Sequence, residues 1–561
     1  MTQPAAPRPP AEADRTSGST SRRKFLGAIG VGVGTAAAVG VGVPAVAGAT
    51  SGRGGGDRDG DGGRDRDGRR GDRRRGDGER GVMEVNGSEA GPDRFSRLFD
   101  DLEPFAESDE GLLAALTAIG APGGIMDAND PLELGPIRLI TEPDLSPNNR
   151  DNPQSTAGST FVGQFLDHDL TRDAGSNLGQ PTSVRRSTNL RTARFDLDSV
   201  YGGGPAESPE LYTADDPFVF RVESGGLFED VPRGSDGSAI IADPRNDENL
   251  MISGLQVALL KFHNAVIARV RSGGLDGQAA FDEAQRQVRW HWQWLIVHEF
   301  LPQFVGQDLI ADIDANGRRF YNPRTPRIPV EFSTAAYRFG HSIIRPSYRA
   351  NLAGDDGEPF FGFVFDPSQF GVDDPDDFTG GSRAPRRFIG WQTFFDFEDG
   401  EVKPNKRIDA KMSTPMFQLP IFAIGTDRGE PVGPTSLATR NLHRHVTWGI
   451  PSGQAVAAAM GVAPLSAGDL SDFAGFHPTL DRSTPLWLYT LHEADVVNDG
   501  LILGPVGGRI VAEVFLGLLD LDPTSYRNDP NWRPTLPSAS GAFRMTDLLT
   551  IAGVDPATRG Q

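Results

Sequence analysis

Four short segments hold side chains that could do chemistry. In Phe161-Val162-Gly163-Gln164-Phe165-Leu166-Asp167-His168-Asp169-Leu170-Thr171, Gln164 and His168 stand four residues apart and share one face of a helix. Asp167 and Asp169 flank the histidine and are expected to point elsewhere. Taken alone, a histidine between two carboxylates looks like a solvated surface position. In Tyr337-Arg338-Phe339-Gly340-His341-Ser342-Ile343-Ile344 a second histidine stands beside a glycine in an apolar run. The missing Cβ would let a bulky planar group such as an iron macrocycle approach, although a satisfied core histidine has the same setting. Asp243-Pro244-Arg245-Asn246-Asp247-Glu248-Asn249 delivers a guanidinium and a carboxylate at the start of a long helical pattern. Thr192, Asp196 and Asp198 offer oxygens within seven residues, a loop for a hard cation if a further carboxylate closes it.

The elements that must position these groups are helices. Asn249–Arg271 places Leu250, Met251, Leu255, Leu259, Leu260, Val266 and Ile267 at helical spacing. Phe281–Leu301 forms a second amphipathic stretch, and Thr334–Ile344 and Arg509–Leu519 are expected to be further helices. Strand-like alternation is scarce. With 69 Gly and 43 Pro among 561 residues, the connections are expected to be long. Composition shows no break after about residue 91, so the fold class is mainly α, with one large helical domain over 91–561.

Composition also excludes chemistry. With no cysteine there is no disulfide, thiolate metal site, Cys nucleophile or C-x-x-C-H haem attachment, so any metal is held by nitrogen or oxygen. The net charge is −21, with +3 on residues 1–50 and +2 on 51–80, which leaves −26 on the other 481. A body this acidic is no nucleic-acid surface. At the N-terminus, Ser21-Arg22-Arg23-Lys24-Phe25-Leu26 precedes a mild Gly/Ala/Val run ending in small-x-small sites at Ala45–Ala47 and Ala47–Ala49. This resembles a twin-arginine signal peptide over 1–49 and implies export. Six glycines between 27 and 42 make the run a poor membrane span. Residues 50–90 are expected to be a disordered linker rich in Gly, Arg and Asp. The Arg-Gly-Asp tripeptides at 70–72 and 75–77 are what such a composition produces by chance.

In their order along the chain, these segments resemble the animal-type haem peroxidase (peroxidase–cyclooxygenase) superfamily. The resemblance rests on Gln164-x-x-x-His168, Asp196-x-Asp-Ser-x-Tyr-Gly202, Asp243-x-Arg-x-x-Glu248, Arg338-Phe-Gly-His341 and Asn441-Leu-His-Arg444 with Gly449-Ile-Pro451 behind it. It covers about residues 92–554. It implies a secreted enzyme that reduces hydrogen peroxide, oxidises small organic donors or halides, and serves the response to oxidative stress. Haem b and calcium are the implied cofactors. His168 would be the distal base, Arg245 the distal cation, and Gln164 a partner of distal water or substrate. His341 would ligate the iron, with Asn441 accepting from its other nitrogen. Asp167 and Glu248 match the carboxylates that the family esterifies to haem. Asp169, Thr192, Asp196, Asp198 and the Arg194 carbonyl would surround calcium.

Some positions depart from the family. Asn249 stands where halide-oxidising mammalian members carry a Met, so no sulfonium link to haem is expected. Arg338 stands three residues before His341, where cyclooxygenases and fatty-acid dioxygenases carry a radical-forming Tyr; Tyr337 is turned by about 100° on a helix. This counts against the dioxygenase alternative, and an adhesion protein on the same scaffold would rest only on the Arg-Gly-Asp tripeptides. His298-Glu299 lacks the second His of a zinc-protease motif, because Pro302 occupies that place. His263, His291, His477 and His492 are expected to be structural, and His443 and His445 to pack or cap.

Overall fold

Apolar residues at a period of 3.6 build helices that need partners for their buried faces, and this chain packs its helices on one another. The computed structural model describes residues 94–554 apart from 174, 225–228, 355–356, 373, 382–385, 421–425, 428–429 and 432. All belong to the compact unit 86–561; the signal segment and linker expected over 1–90 lie outside the described residues. The longest helices are α1 (Glu110–Gly120), α2 (Ala157–Leu170), α3 (Leu250–Ser272), α4 (Gly277–Leu295), α5 (Leu437–Thr447), α6 (Leu486–Asn498) and α7 (Pro505–Leu521). Among the described residues the sheets are four two-stranded ribbons. The fold is mainly α, as expected.

One ribbon aims α2. Strand β1 (Asp151–Thr156) pairs antiparallel with β2 (Pro404–Lys406), Asp151 opposite Lys406. The helix follows β1 directly, and its first amides find neighbours instead of a side-chain cap: Ala157 N donates to Lys403 O (2.8 Å) and Gly158 N to Phe394 O (2.9 Å). A Cβ on Gly158 would stand 2.4 Å from the Phe395 ring, so only glycine allows this approach.

Asn249 caps α3, its side chain accepting from Ile252 N. By length and apolarity α3 could cross a membrane, but 78% of its most apolar stretch is buried inside the protein. It packs against both α2 and α4 as the core helix. The helix expected over 281–301 starts earlier, at Gly277. It passes at Ile296 into a five-residue π-turn and then a short turn, Leu301–Val305. Pro302 has no N–H for the carbonyl four residues back, and the wider turn sits just before it.

The helix expected over 334–344 does not form. A one-turn helix, Val330–Ser333, is followed by a tighter 3-10 segment, Ala336–His341. Tertiary contacts overrule the local pattern here. The Arg338 carbonyl accepts from Trp487 Nε1 of α6 (3.1 Å), and Tyr337 reaches across to donate to Gly163 O of α2 (2.9 Å). Helices α6 and α7 pack behind this segment.

Candidate functional site

A cavity of about 280 Å³ lies between α2 and the 3-10 segment, and both histidines of interest line it. From α2 come Gln164, Asp167 and His168. Asp167, expected to point away from His168, shares its cavity: at 100° per residue the three side chains fall on one helical face. Asp169 points to the opposite side, fully buried.

The turn at Pro244–Asp247 closes this wall. Pro244 starts it and Asp243 caps it, the carboxylate accepting from Arg245 N (3.0 Å). The same carboxylate binds the guanidiniums of Arg245 and Arg191. Burial opposes ionisation of Asp243, and Arg245 with Arg191 overrides it, holding the carboxyl below the usual range. Arg245 also donates to the His168 carbonyl (3.0 Å). Among the described residues its third nitrogen, Nη1, has no acceptor, and Arg245 lines the cavity.

His168 Nδ1 is 2.9 Å from Asn246 Oδ1, and Asn246 Nδ2 donates to Gln256 Oε1 (2.9 Å). Its Nε2 has no hydrogen bond among the described residues; Glu248 Oε2 is 4.0 Å away. Burial, then Arg245, push His168 down to about 4, so it is a neutral base at pH 7. Burial pushes Glu248 up to about 7. Gln164 is tied at both ends, donating to Glu248 Oε2 and accepting from Asn249 Nδ2 (3.2 Å each). It thereby holds Glu248 in place, and its second amide N–H remains for the cavity that it lines.

On the other wall, His341 Nδ1 contacts the side-chain amide of Asn441 on α5 at 2.7 Å. The amide nitrogen faces the ring, while Asn441 Oδ1 is buried without a partner. A half-turn of the amide, which exchanges two atoms of nearly equal shape, satisfies the oxygen with Nδ1–H and leaves the Nε2 lone pair free. A Cβ on Gly340 would meet nothing within 4 Å: the glycine opens onto space. Arg338, Arg440 and Arg444 also line the cavity. Burial comes first in lowering all three, Arg338 to about 10, and the guanidiniums further depress one another. Arg338 Nε is buried without a partner. The nearest carboxylate to Arg444 is Asp173, at 3.7 Å. Three guanidiniums thus gather on this wall, and sequence inspection gave no sign of it because the three residues converge only in the fold.

Behind α2, one carboxylate oxygen each from Asp169, Asp196 and Asp198 lie within 4.8 Å of one another. Thr192 Oγ1 donates to both oxygens of Asp196 (2.9 Å), and Thr192 N to Asp198 Oδ2 (3.2 Å). The Arg194 side chain turns toward Asp522 (3.9 Å), while its main chain stays in the loop. Leu197 adopts φ +60°, a left-handed conformation costly for a branched residue. That bend lets the Leu197 and Ser199 amides donate to Asp169. Burial comes first in raising all three carboxyls; Asp198 and Asp196 add to it at Asp169, Asp196 adds to it at Asp198, which reaches about 6, and Asp522 adds to it at Asp196. The group has the composition and charge imbalance of a hard-cation site.

The remaining histidines differ from these two. His263, His291 and His445 each have both ring nitrogens bonded. His443 contacts Thr117, His477 Thr479, His492 the Asp469 carbonyl and His298 Tyr526. Asn246 and Gln256 were not singled out from sequence; their place beside Arg245 and two helical turns past the Asn249 cap were the available signals.

Residues 168–360 match the animal haem peroxidase family, a stretch that opens at His168 and includes Arg245, Glu248 and His341. The chain is 24% identical over 189 residues to Peroxidasin homolog pxn-2 of Caenorhabditis elegans, covering 30% of this chain and 14% of that protein. It is 24% identical over 206 residues to human Thyroid peroxidase, covering 32% and 22% respectively. The matches thus span less than a quarter of either relative. Peroxidase A from Dictyostelium discoideum has the same fold, with TM-score 0.52 at 16% identity over 77% of this chain and 88% of that one. Over residues 168–360, then, the chain is similar to the animal haem peroxidase family, and its fold is that of Peroxidase A.

Proposed function

We propose that this protein is an exported haem peroxidase that reduces hydrogen peroxide and oxidises small organic donors or halides. The observation that carries the reading is the convergence of His168, Arg245 and His341 on one cavity. The cavity's chemistry fits haem: a wall lined by three arginines suits two propionates, Gly340 leaves room for a planar ring, and the His341–Asn441 pair can leave one imidazole lone pair free. Arg338, Arg440 and Arg444 would hold the propionates and His341 the iron. Bound haem supplies the redox chemistry, taking up the oxidising power of peroxide and passing it to donors. His168 Nε2 takes a proton from one peroxide oxygen and returns it to the departing one. Arg245, anchored by Asp243, stabilises the negative charge that develops as the bond breaks. Asp167 and Glu248 line the same cavity and are the carboxylates for ester links to haem. Calcium at Asp169, Thr192, the Arg194 carbonyl, Asp196 and Asp198 would brace the helix carrying the base.

The absorption spectrum of purified protein before and after peroxide tests the reading. A haem band that peroxide does not perturb would refute it, and oxygen uptake with a fatty acid and no added donor would favour a dioxygenase. His168→Ala should retain haem and lower peroxide turnover by about 100- to 10,000-fold. Export, with a mature start near Gly48 or Thr50, rests on Arg22, Arg23 and the small-x-small sites.

A further inference from the structure

His168 can serve as a base toward the cavity in only one of its neutral tautomers, with the proton on Nδ1 and the lone pair on Nε2. Which tautomer forms depends on the partner of Nδ1. That partner is Asn246, fully buried on the same turn as Arg245. An amide can offer a ring either its oxygen or its NH2. Here Asn246 Nδ2 is committed to Gln256 Oε1, so Oδ1 faces the ring at 2.9 Å. Gln256 is buried on α3. We infer that Asn246, backed by Gln256, is the positioning residue for His168: the pair keeps the proton on Nδ1 and presents the Nε2 lone pair to the cavity. The inference deepens the proposed peroxidase function and rests on His168 being its base.

A buried histidine that is merely satisfied would show the same bond to Asn246. The other fully buried structural histidines of this protein argue against that. His263, His291 and His445 have partners at both nitrogens, whereas among the described residues His168 is bonded at Nδ1 alone and lines the cavity. The turn is also held from outside. Arg245 Nη2 donates to the His168 carbonyl at 3.0 Å, and Gly380 N donates to the Glu248 carbonyl at 3.0 Å. Cation and tautomer holder are therefore consecutive residues on one clamped turn.

The test uses full-length protein labelled with 15N-histidine and loaded with diamagnetic zinc protoporphyrin. Long-range proton–nitrogen correlation reports each tautomer, and the His168 signals are those that His168→Ala removes. Wild type should show the proton on Nδ1; a proton on Nε2 overturns the inference before any other variant is made. Asn246→Leu should give mixed tautomers and, in the haem-loaded enzyme, lower kcat/KM for peroxide about 10- to 100-fold with the donor KM unchanged. Asn246→Asp, which keeps an acceptor at Nδ1, should restore the single tautomer and the rate. Gln256→Leu should repeat the Asn246→Leu effect in weaker form and serves if that variant does not fold. Wild-type kinetics in both leucine variants, with His168→Ala inactive, would overturn the positioning role and leave the base standing. A fully active His168→Ala would remove the base itself.

Discussion

The three carboxylates behind α2 carry the sharpest energetic consequence. Asp198 ordinarily titrates near 3.8 and is pushed to about 6 in the fold, by burial and then by Asp196. Its side chain is 20% exposed, so the shift belongs to a mostly buried group. A rise of about two units means that ionising Asp198 costs the fold about 3 kcal/mol. The folded value lies above the unfolded one, so the cost is absent below pH ~4, grows as pH rises, and is complete above pH ~6. Asp169 and Asp196 are raised too and act in the same direction. Calcium between the carboxylates removes the penalty. Chelated protein should therefore lose stability relative to calcium-loaded protein as pH rises from 5 to 7.5. For the roughly 440 described residues, unfolding entropy is about 1 kcal/mol per degree, so the gap from Asp198 alone is roughly 3 °C in Tm. Differential scanning calorimetry at both pH values, with EGTA or calcium, resolves this. Asp198→Asn should recover most of the loss in EGTA and respond weakly to calcium. Asp196→Ala, in calcium, should lower both Tm and peroxide turnover, because Asp169 adjoins the base. A calcium-independent Tm at pH 7.5 would refute the reasoning.

Three further outcomes are expected. After peroxide treatment, acid–organic extraction should leave haem on wild type and release it from the Asp167→Val, Glu248→Gln double variant, with no sulfonium adduct by mass spectrometry; complete extraction from wild type after many turnovers would make these carboxylates structural only. Gly380→Ala would place a Cβ 1.5 Å from the Asp247 carbonyl oxygen and should destabilise the protein by about 3 kcal/mol or more in urea unfolding, loosening haem as the turn shifts; wild-type stability would contradict the close approach. Replacing Arg22 and Arg23 with Lys should trap the protein in the cytoplasm on fractionation, and unchanged export would defeat the twin-arginine assignment.

By itself, the sequence determined what each segment carries. The spacing of Leu250, Leu255, Leu259 and Val266 is enough for a buried helix, because helical period and burial are both local properties of the pattern. Gln164 and His168 share a face for the same reason, and Thr192, Asp196 and Asp198 are close because they are close in sequence. The tertiary structure decided what faces what. It tightened 336–341 into a 3-10 segment, since the bonds from Trp487 and to Gly163 come from helices more than a hundred residues away in sequence. It made Gln164 the support of Glu248 as well, alongside an Asn249 that also caps α3. It gathered Arg338, Arg440 and Arg444 on one wall and placed Asn246 and Gln256 behind His168. Charge clustering and tautomer are properties of neighbours in space, so no spacing along the chain encodes them, and both arise only once α2, α3 and α5 have packed.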